Sequence, residues 1–324
     1  MAVVPSPSTQ IEQTRPDIAG SLMEFDIEMN MERMIALQVF PVLEVADSAG
    51  QFGRIPLKEL LKTVDSQRAS GAGYANMNFR FERDNWATEE HGVEIPVDDR
   101  NSAIYRDWFD VELVSARLAR QSVRVNYEKR VADIMNDTTR FNDTAGTNWS
   151  NASDGTPITD VESRVQALYD KGIVANALIV TWKTFRDLRN SEQVIERVAS
   201  SGAGDPSKPS DITLNMLQQV FDLPRILVAA SQHNAANEGQ NASLSSVWND
   251  NHAIVARLGD PNGPVENPCV GRTFHFAEDG SVIGGLFESY RDPSRRSEIM
   301  RNRMDTDEKV MYDEAAEIIT GVNP

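Results

Sequence analysis

The alternation of apolar and polar positions near the C-terminal end of the chain predicts two strands joined by a turn. In residues 286–290, Leu, Glu and Tyr fall on one face of an extended segment, while Phe and Ser fall on the other. Residues 292–294 read Asp-Pro-Ser and predict a turn, and residues 297–304 predict the second strand. Charge occupies nearly every second position of this ribbon, so we expect another copy of the protein to cover it.

Residues 50–97 are predicted to form a long two-stranded hairpin with a flexible tip. Residues 76–83 alternate between an apolar face and a polar face, as a strand does. Ser70-Gly-Ala-Gly73, near the middle of the segment, marks the tip. These glycines do not predict a phosphate-binding loop, because the third glycine of that motif is absent and no apolar parallel strand precedes them.

Apolar residues that recur at steps of three, four or seven predict one long helix over residues 101–136. Asn101-Ser102 or Asp107 is expected to cap its start. A row of arginines lies between the apolar positions. In so acidic a chain, we interpret this row as a partner of acidic neighbours and not as a nucleic-acid site. The arginines are Arg117, Arg120 and Arg124.

From about residue 153, helical and strand-like patterns alternate as they do in α/β proteins. Thr159-Asp-Val-Glu162 matches a capping box at the start of a helix, and Gly172 is expected to end that helix. The strands predicted after it are 177–181, 225–229, 252–258 and, at a sheet edge, 271–276. The helices predicted after it are 183–188 and 213–221.

Less regular segments separate these patterns. Residues 1–20 are rich in Pro, Ser and Thr and predict an extended or mobile arm. Residues 21–46 place methionines at near-helical spacing, which favours core or interface packing over a binding groove. Residues 137–157 predict a polar loop anchored by Trp149, without the spacing of a calcium-binding loop, and residues 201–210 predict a mobile Gly/Pro/Ser loop.

The composition is that of a globular chain with a strong acidic excess. Among 324 residues, 49 acidic outnumber 32 basic ones, for a formal net charge of −17. Such a charge argues against general nucleic-acid binding, which needs basic surface to displace counterions, and against docking on anionic lipid. The single cysteine, Cys269, excludes an intramolecular disulfide framework. No secretory signal is visible, and no apolar run approaches the ~18 residues of a membrane span.

Candidate catalytic chemistry is sparse. The four histidines are isolated along the chain, and no hydrolase elbow, zinc-binding helix or Walker loop is present. Glu89 and His91 would share one face of a strand, but solvated strand polarity explains this pair better than a metal site. We therefore predict no catalytic residue, no cofactor and no metal.

Several stretches, taken in order, resemble the major capsid protein of tailed bacteriophages, which has the Hong Kong 97-type fold. Residues 149–158, followed by a capped helix, are similar to the family's entry into its axial domain. Residues 172–188 are similar to the family's succession of glycine, asparagine, strand and helix. Residues 249–257 are similar to a family strand that follows a small polar turn, and residues 290–297 and 316–322 to its closing strands.

The resemblance covers nearly the whole chain and implies an α+β fold with an N-terminal arm, an extended hairpin loop, a peripheral domain with a long spine helix, and an axial domain with a central sheet. The implied bounds are 1–49 for the arm, 50–97 for the loop, 98–152 and 286–314 for the peripheral domain, and 153–285 and 315–324 for the axial domain.

The function implied by the resemblance is structural. Copies of the chain would assemble, as hexamers and pentamers, into an icosahedral head shell around a double-stranded DNA phage genome. The implied partners are other copies, a separate scaffolding protein, a portal and a possible decoration protein, with no sequence-specific nucleic acid and no membrane. The separate scaffold is expected because the loop begins near residue 50, which leaves no room for a fused one. The implied location is the virion shell, assembled in the bacterial cytoplasm.

The residues expected at contacts between subunits lie in the loop and in the ribbon. Arginine forms two-pronged hydrogen bonds with carboxylates, so we expect the ribbon arginines to pair with carboxylates of neighbouring copies; a solvated face is the alternative. The loop residues are Ser70, Gly71, Gly73, Tyr74, Glu89 and Glu90. The ribbon residues are Arg291, Arg295, Arg296, Arg301 and Arg303. The candidate carboxylates are Glu89, Glu90, Asp98 and Asp99.

Two other classes of function stay open at this point. An encapsulin-type compartment shell has the same fold and would enclose an enzyme instead of a genome. An α/β enzyme centred on residues 153–280 would need a catalytic site, and no histidine or cysteine has a chemical partner at a readable spacing. Lys58 and Lys62 lie at the base of the loop, but no asparagine partner is identifiable, so we predict no covalent crosslink between subunits.

Overall fold

Two β-sheets and one long helix organise the chain. We describe them from a computed structural model of the protein. The residues that the structure describes are 13–14, 34–71, 73–78, 80–105, 108, 110–200, 212–237, 239–264, 267–278 and 280–324. The predicted arm at 1–20, most of the methionine-rich stretch and the predicted loop at 201–210 lie outside these residues.

A six-stranded sheet gathers segments from both ends of the chain, in the order β1-β13-β14-β12-β2, with β5 on the remaining edge of β14. Residues 297–303 of β14 pair with both β13 and β5, and Thr306 of β14 pairs with both β12 and β5. Strands β13 and β12 therefore lie one after the other along the same edge of β14, and β5 lies along its other edge. The strands are β1 (Gln13–Thr14), β2 (Val42–Val45), β5 (Glu89–Asp98), β12 (Gly271–Phe276), β13 (Leu286–Asp292) and β14 (Ser297–Val310).

This sheet corrects the expectation that the C-terminal ribbon needs cover from another copy. Strand β14 lies in the middle of the sheet, with paired strands along both edges. The sheet also joins segments that the predicted bounds had placed in different parts of the chain. Residues 42–45 were assigned to the arm, residues 89–97 to the hairpin loop, and residues 271–276 to a sheet edge in the axial part, but all three pair in this sheet.

A five-stranded sheet forms the second centre, in the order β6-β15-β11-β7-β8. The pairs β6–β15 and β7–β8 are parallel and the other two are antiparallel. The strand from residue 225 and the strand from 177 were predicted at these bounds, whereas the polar segment 137–157 was not expected to supply a strand. The strands are β6 (Asn142–Ala145), β7 (Ala177–Thr181), β8 (Arg225–Ala229), β11 (His252–Ala256) and β15 (Ala316–Thr320).

Two small antiparallel ribbons and the helices complete the fold. The ribbons pair β3 (Ala49–Arg54) with β4 (Glu82–Ala87), and β9 (Gln232–Asn234) with β10 (Leu244–Ser246). The helices are α1 (Ala36–Val39), α2 (Leu57–Leu60), α3 (Asp99–Tyr105), α4 (Val111–Met135), α5 (Pro157–Asp170), α6 (Trp182–Asn190), α7 (Glu192–Ser200) and α8 (Leu214–Phe221). No helix among the described residues is long and apolar enough to cross a membrane.

Helix α4 joins the two sheets. Its 25 residues span about 38 Å. One apolar core runs along it from Val123 to Met135 and contains Phe274 of the first sheet and Ile254 of the second. The single helix predicted over 101–136 is in fact two, α3 and α4. The cap is Asp110, whose carboxylate accepts hydrogen bonds from backbone N–H groups in the first turn of α4.

The five-stranded sheet separates two apolar layers. Leu178 and Val180 of β7 pack with helices α5 to α8, whereas Ala177 and Ile179 pack in the core around α4. Alternating side chains of a strand face opposite sides, so a fully apolar strand is needed here. The two-sided burial explains why β7 was readable from sequence.

The start of α5 corrects the predicted capping box. The helix begins at Pro157, and Asp160 turns back to the preceding loop. Its carboxylate accepts hydrogen bonds from the Thr147 backbone at 2.9 Å and from the Trp149 indole at 2.8 Å. Trp149 is fully buried, which confirms it as the anchor of this loop. Gly172 ends the helix with φ at +83°, as expected of a left-handed stop.

A buried carboxylate holds the backbone at the start of helix α1. Glu128 of α4 is 1% exposed. It accepts hydrogen bonds from the backbone N–H groups of Ile35 at 3.0 Å and Ala36 at 2.9 Å, and from the Trp248 indole at 2.7 Å. Burial raises the pKa of Glu128, although these donors act to lower it.

The alternative of an α/β enzyme centred on residues 153–280 would need a sheet formed by that segment alone. Strand β11 of that segment pairs with β15, which comes from the end of the chain, and residues 271–276 belong to the other sheet. The segment therefore cannot close its own sheet, and the architecture is the α+β class expected from the resemblance.

Candidate assembly surfaces

Aromatic stacking fixes the base of the long loop to the six-stranded sheet. The Trp86 ring of β4 lies parallel to the Phe274 ring of β12, with centroids 5.2 Å apart. Phe52 of β3 lies 5.3 Å from the same ring. Gly50 is required by close approach, since a Cβ there would come within 2.3 Å of Trp86. The pairing of β3 with β4 therefore rests on a rigid platform.

Hydrogen bonds add to this attachment. Arg54 donates to the Met311 carbonyl and the Tyr312 hydroxyl donates to the Ile55 carbonyl, both at 2.9 Å. The backbone N–H of Ala87 donates to Asp307 at 2.9 Å. Burial raises the pKa values of Asp307 and Tyr312. The two ends of the loop are thus held by the same stretch of chain, residues 307–312.

The far part of the loop is exposed and has no regular secondary structure among its described residues. Between residues 61 and 81, the described residues form no helix or strand. Tyr74 is 76% exposed and Phe81 is 69% exposed. The Arg68 guanidinium lies 4.8 Å above the Tyr74 ring. The strand predicted over 76–83 was wrong, because β4 begins only at Glu82.

The predicted tip residues lie together at this exposed end, with one glycine in the left-handed region. Gly71 has φ at +84°, a conformation that side chains with a Cβ rarely adopt. No heavy atom lies within 4 Å of the position that a Cβ would take at Gly73. The residues are Ser70, Gly71, Gly73 and Tyr74.

A ladder of alternating charges crosses three strands of the six-stranded sheet. Glu288 of β13, Arg301 of β14 and Glu94 of β5 lie directly opposite one another. Arg301 is 2.8 Å from Glu94 and 3.6 Å from Glu288. Arg303, two residues further along β14 and therefore on the same face of the strand, is 3.1 Å from Glu288. The Glu288 side chain is only 6% exposed, so this carboxylate is compensated by two arginines instead of by water.

Further groups extend the ladder. The Arg301 guanidinium lies 4.9 Å from the Tyr290 ring, and the Tyr290 hydroxyl donates to Glu94 at 3.2 Å. Burial acts to lower the pKa of Arg301, but hydrogen bonding with Glu94 and Tyr290 raises it overall. Arg303 also approaches Glu90 at 3.9 Å. The guanidinium groups are therefore firmly charged and held in the plane of the sheet.

The remaining ribbon arginines lie near the β13–β14 turn. Arg291 forms a two-pronged pair with Asp99 at 2.5 and 2.6 Å. Hydrogen bonding in this pair lowers the pKa of Asp99 and raises that of Arg291. Arg295 is exposed and 3.6 Å from Asp292. Arg296 is exposed and has φ at +51°, in the left-handed region.

These contacts divide the predicted set. Arg291, Arg301 and Arg303 have carboxylate partners within their own chain, and their contact with a neighbouring copy stays a prediction. Of the four candidate carboxylates, Glu90 and Asp99 take part. Sequence reasoning missed Glu94 and Glu288, because only the register between strands reveals which residues face each other. Contacts of Arg295, Arg296 and the loop tip with another copy stay a prediction.

The other candidate chemistry is accounted for within the fold. Arg130, on the basic side of α4, pairs with Glu308 at 2.8 Å. The described residues contain no group of three or more His, Cys, Asp or Glu side chains placed to hold a metal ion. Burial lowers the pKa of His91 and raises the pKa of the buried Cys269 thiol, which disfavours its reactive thiolate form.

Comparison with known proteins rests on structure. No protein-family model matches the sequence, and no curated protein sequence matches it. A phage-related protein from Bordetella bronchiseptica is similar, with TM-score 0.68 and 21% identity over 97% of this chain and 99% of that chain. The capsid protein of cyanophage P-SCSP1u is similar, with TM-score 0.60 and 11% identity over 90% of this chain and 89% of that chain. The chain has the Hong Kong 97-type capsid fold.

A third structure with this fold is a virus-like particle from Pyrococcus furiosus. Its TM-score is 0.56 and its identity 12%, over 94% of this chain and 98% of that chain. The coverage confirms the resemblance drawn from sequence, since the Hong Kong 97-type fold accounts for nearly every element described above.

Proposed function

We propose that this chain is a structural major capsid protein. Many copies, grouped as hexamers and pentamers, form an icosahedral shell around a double-stranded DNA phage genome. The observation that carries the proposal is the match of the capsid fold over almost the full length of the chain. We assign no catalytic function to the chain.

The geometry of the loop supports this proposal. The loop has a clamped base, and its Tyr74 and Phe81 side chains are exposed. Exposed aromatic side chains with nearby arginine are typical of residues that anchor protein interfaces. Identical subunits in a closed shell give every loop the same surface to contact.

The acidic charge of the chain fits a container for DNA. A net charge of −17 repels phosphate at short range, so packaged DNA would stay free to move. We propose that a separate scaffolding protein and a portal act in assembly, that a decoration protein is an optional partner, and that assembly takes place in the bacterial cytoplasm before the shell becomes part of the virion.

Co-expression of the chain with its neighbouring genes tests the proposal. Electron microscopy and sedimentation are expected to show closed shells, or rings of five and six subunits. A chain that stays monomeric at high concentration with its scaffolding protein present would contradict the proposal.

A compartment shell of the encapsulin type is the second candidate, because the fold is shared by particles other than tailed-phage heads, such as the Pyrococcus furiosus virus-like particle. The contents of purified shells distinguish the two. Nuclease-protected double-stranded DNA in shells from infected or induced cells supports the phage head, whereas a stoichiometric enzyme cargo supports the compartment.

A further inference from the structure

Helix α6 presents an exposed basic and aromatic surface in an otherwise acidic chain. Trp182 is 54% exposed, and the Arg186 guanidinium lies 5.0 Å above its ring. Lys183 is exposed beside them. We call Trp182, Lys183 and Arg186 the basic face of α6. Asp187, the acidic residue of this helix, lies near Lys183 and Arg186 and accepts a hydrogen bond from Asn323.

An acidic groove lies between α5 and α7 of the same domain. It has a volume of about 440 Å³ and is lined by Glu162 of α5 and by Glu196 and Arg197 of α7, among others. Glu192, also exposed, lies one turn before Glu196. The lining holds two glutamates against one arginine, so the groove carries a net negative charge, opposite in sign to the basic face.

The two surfaces lie over different halves of the five-stranded sheet. Helix α5 packs on β15 and β11, whereas α6 packs on β7 and β8. The strand order is β6-β15-β11-β7-β8, so the basic face lies over the β8 side and α5 over the β15 side. Both surfaces lie at the same end of the sheet, because α5 starts and β7 ends there. One domain therefore offers complementary surfaces on opposite flanks.

From this arrangement we infer that the basic face of α6 docks into the acidic groove of a second copy of this chain. The contact is head-to-tail, because the two surfaces differ, and repeated head-to-tail contacts close into rings. Trp182 supplies the apolar area, since an aromatic ring with a stacked guanidinium is a common interface anchor. The charges set orientation and partner choice more than affinity. The inference rests on the proposed function, which supplies the rings.

Charge reversal tests the contact. Arg186→Glu and Glu196→Arg, each made alone, are expected to reduce rings and shells at least tenfold in sedimentation of the expressed full-length chain. The two changes combined are expected to restore them at least in part, because opposite charges again face each other. Lys129→Glu, an exposed charge reversal on α4, is the matched control and is expected to assemble as wild type does. Unfolding midpoints of all variants show that each subunit is folded.

A zero-length crosslink provides a second measurement that does not depend on any substitution. Carbodiimide treatment of assembled wild-type protein is expected to join Lys183 to Glu162, Glu192 or Glu196 between subunits, as identified by mass spectrometry. Normal assembly of Arg186→Glu, or absence of these crosslinks from assembled rings, would overturn the inference and leave the proposed function standing. A wild-type chain that forms no ring or shell would overturn both.

Discussion

The long loop and the C-terminal ribbon have similar sequence patterns, but only the ribbon is covered by other strands of the same subunit. Both consist of alternating, charged, extended chain, and both were expected to need cover from outside the subunit. The ribbon, β13 and β14, lies within a sheet where cross-strand glutamates neutralise its arginines. The loop is held only at its base and leaves Tyr74 and Phe81 exposed. Alternation thus predicts a strand but does not say whether its partner lies in the same chain.

The largest effect on stability is expected at the base of the loop. Trp86→Ala removes the ring that stacks on Phe274 and is expected to lower the free energy of unfolding by about 3 kcal/mol, as for large aromatic truncations in cores. Urea unfolding of the unassembled subunit measures the change. Trp86→Phe, which keeps a ring, is expected to lose less than half as much. Equal losses in the two variants would show that stacking does not hold the base.

The charge ladder gives the next largest effect. Replacing Arg301 and Arg303 together by Ala leaves the Glu288 carboxylate, 6% exposed, without its cations. The expected loss of unfolding free energy is about 2 kcal/mol in the unassembled subunit. The matched control is Arg295→Ala with Arg296→Ala, both exposed at the turn, for which unfolding is expected to stay within about 0.5 kcal/mol of wild type.

Shell stability separates the two double variants a second time. If the turn arginines contact neighbouring copies, shells of the Arg295/Arg296 variant are expected to dissociate at lower salt than wild-type shells. Wild-type salt tolerance of that variant would reduce the turn to a solvated surface. An unchanged unfolding midpoint in the Arg301/Arg303 variant would show that the ladder contributes nothing to the subunit.

The next prediction concerns Glu128, which binds the backbone at the end of the predicted N-terminal arm. Glu128→Gln places an amide N–H₂ against backbone donors and is expected to cost about 1–2 kcal/mol. The folded pKa of Glu128 is raised, so its ionisation opposes folding. The contribution of the wild-type residue is therefore largest below its unfolded pKa and declines as pH rises through the folded value. The difference in free energy of unfolding between wild type and variant, measured by chemical unfolding, is expected to decrease from acid to neutral pH. An increase over this range would contradict the prediction.

The smallest effect on stability is expected at the loop tip. Deletion of residues 67–74 removes exposed chain without regular structure, so the unfolding midpoint of the subunit is expected to stay near wild type. Shell yield, measured by sedimentation, is expected to fall sharply if the tip is a contact between copies, as we predict. A deletion variant with normal shell yield would remove the tip from the assembly surfaces.

Sequence reasoning succeeded where burial fixes the pattern on both sides of an element. Strands β7 and β8 and the stop at Gly172 were predicted at their observed positions, because apolar runs and left-handed glycines are local signals. It failed where the partner is remote. Nothing near Glu94 shows that it faces Arg301, which is more than two hundred residues away. The cap at Asp110 was missed because Asn101, Ser102 and Asp107 offered equally good local matches.

Strand β14 also has a mechanical consequence. Its 14 residues extend about 46 Å, from the turn at Arg295 and Arg296 to the stretch that clamps the loop. Three strands are bonded along its two edges, so a pull at the turn loads many backbone hydrogen bonds together instead of one after another. A tension-bearing beam of this kind would carry force from one side of the subunit to the root of the loop, and pressure inside a filled shell would be shared among subunits through it.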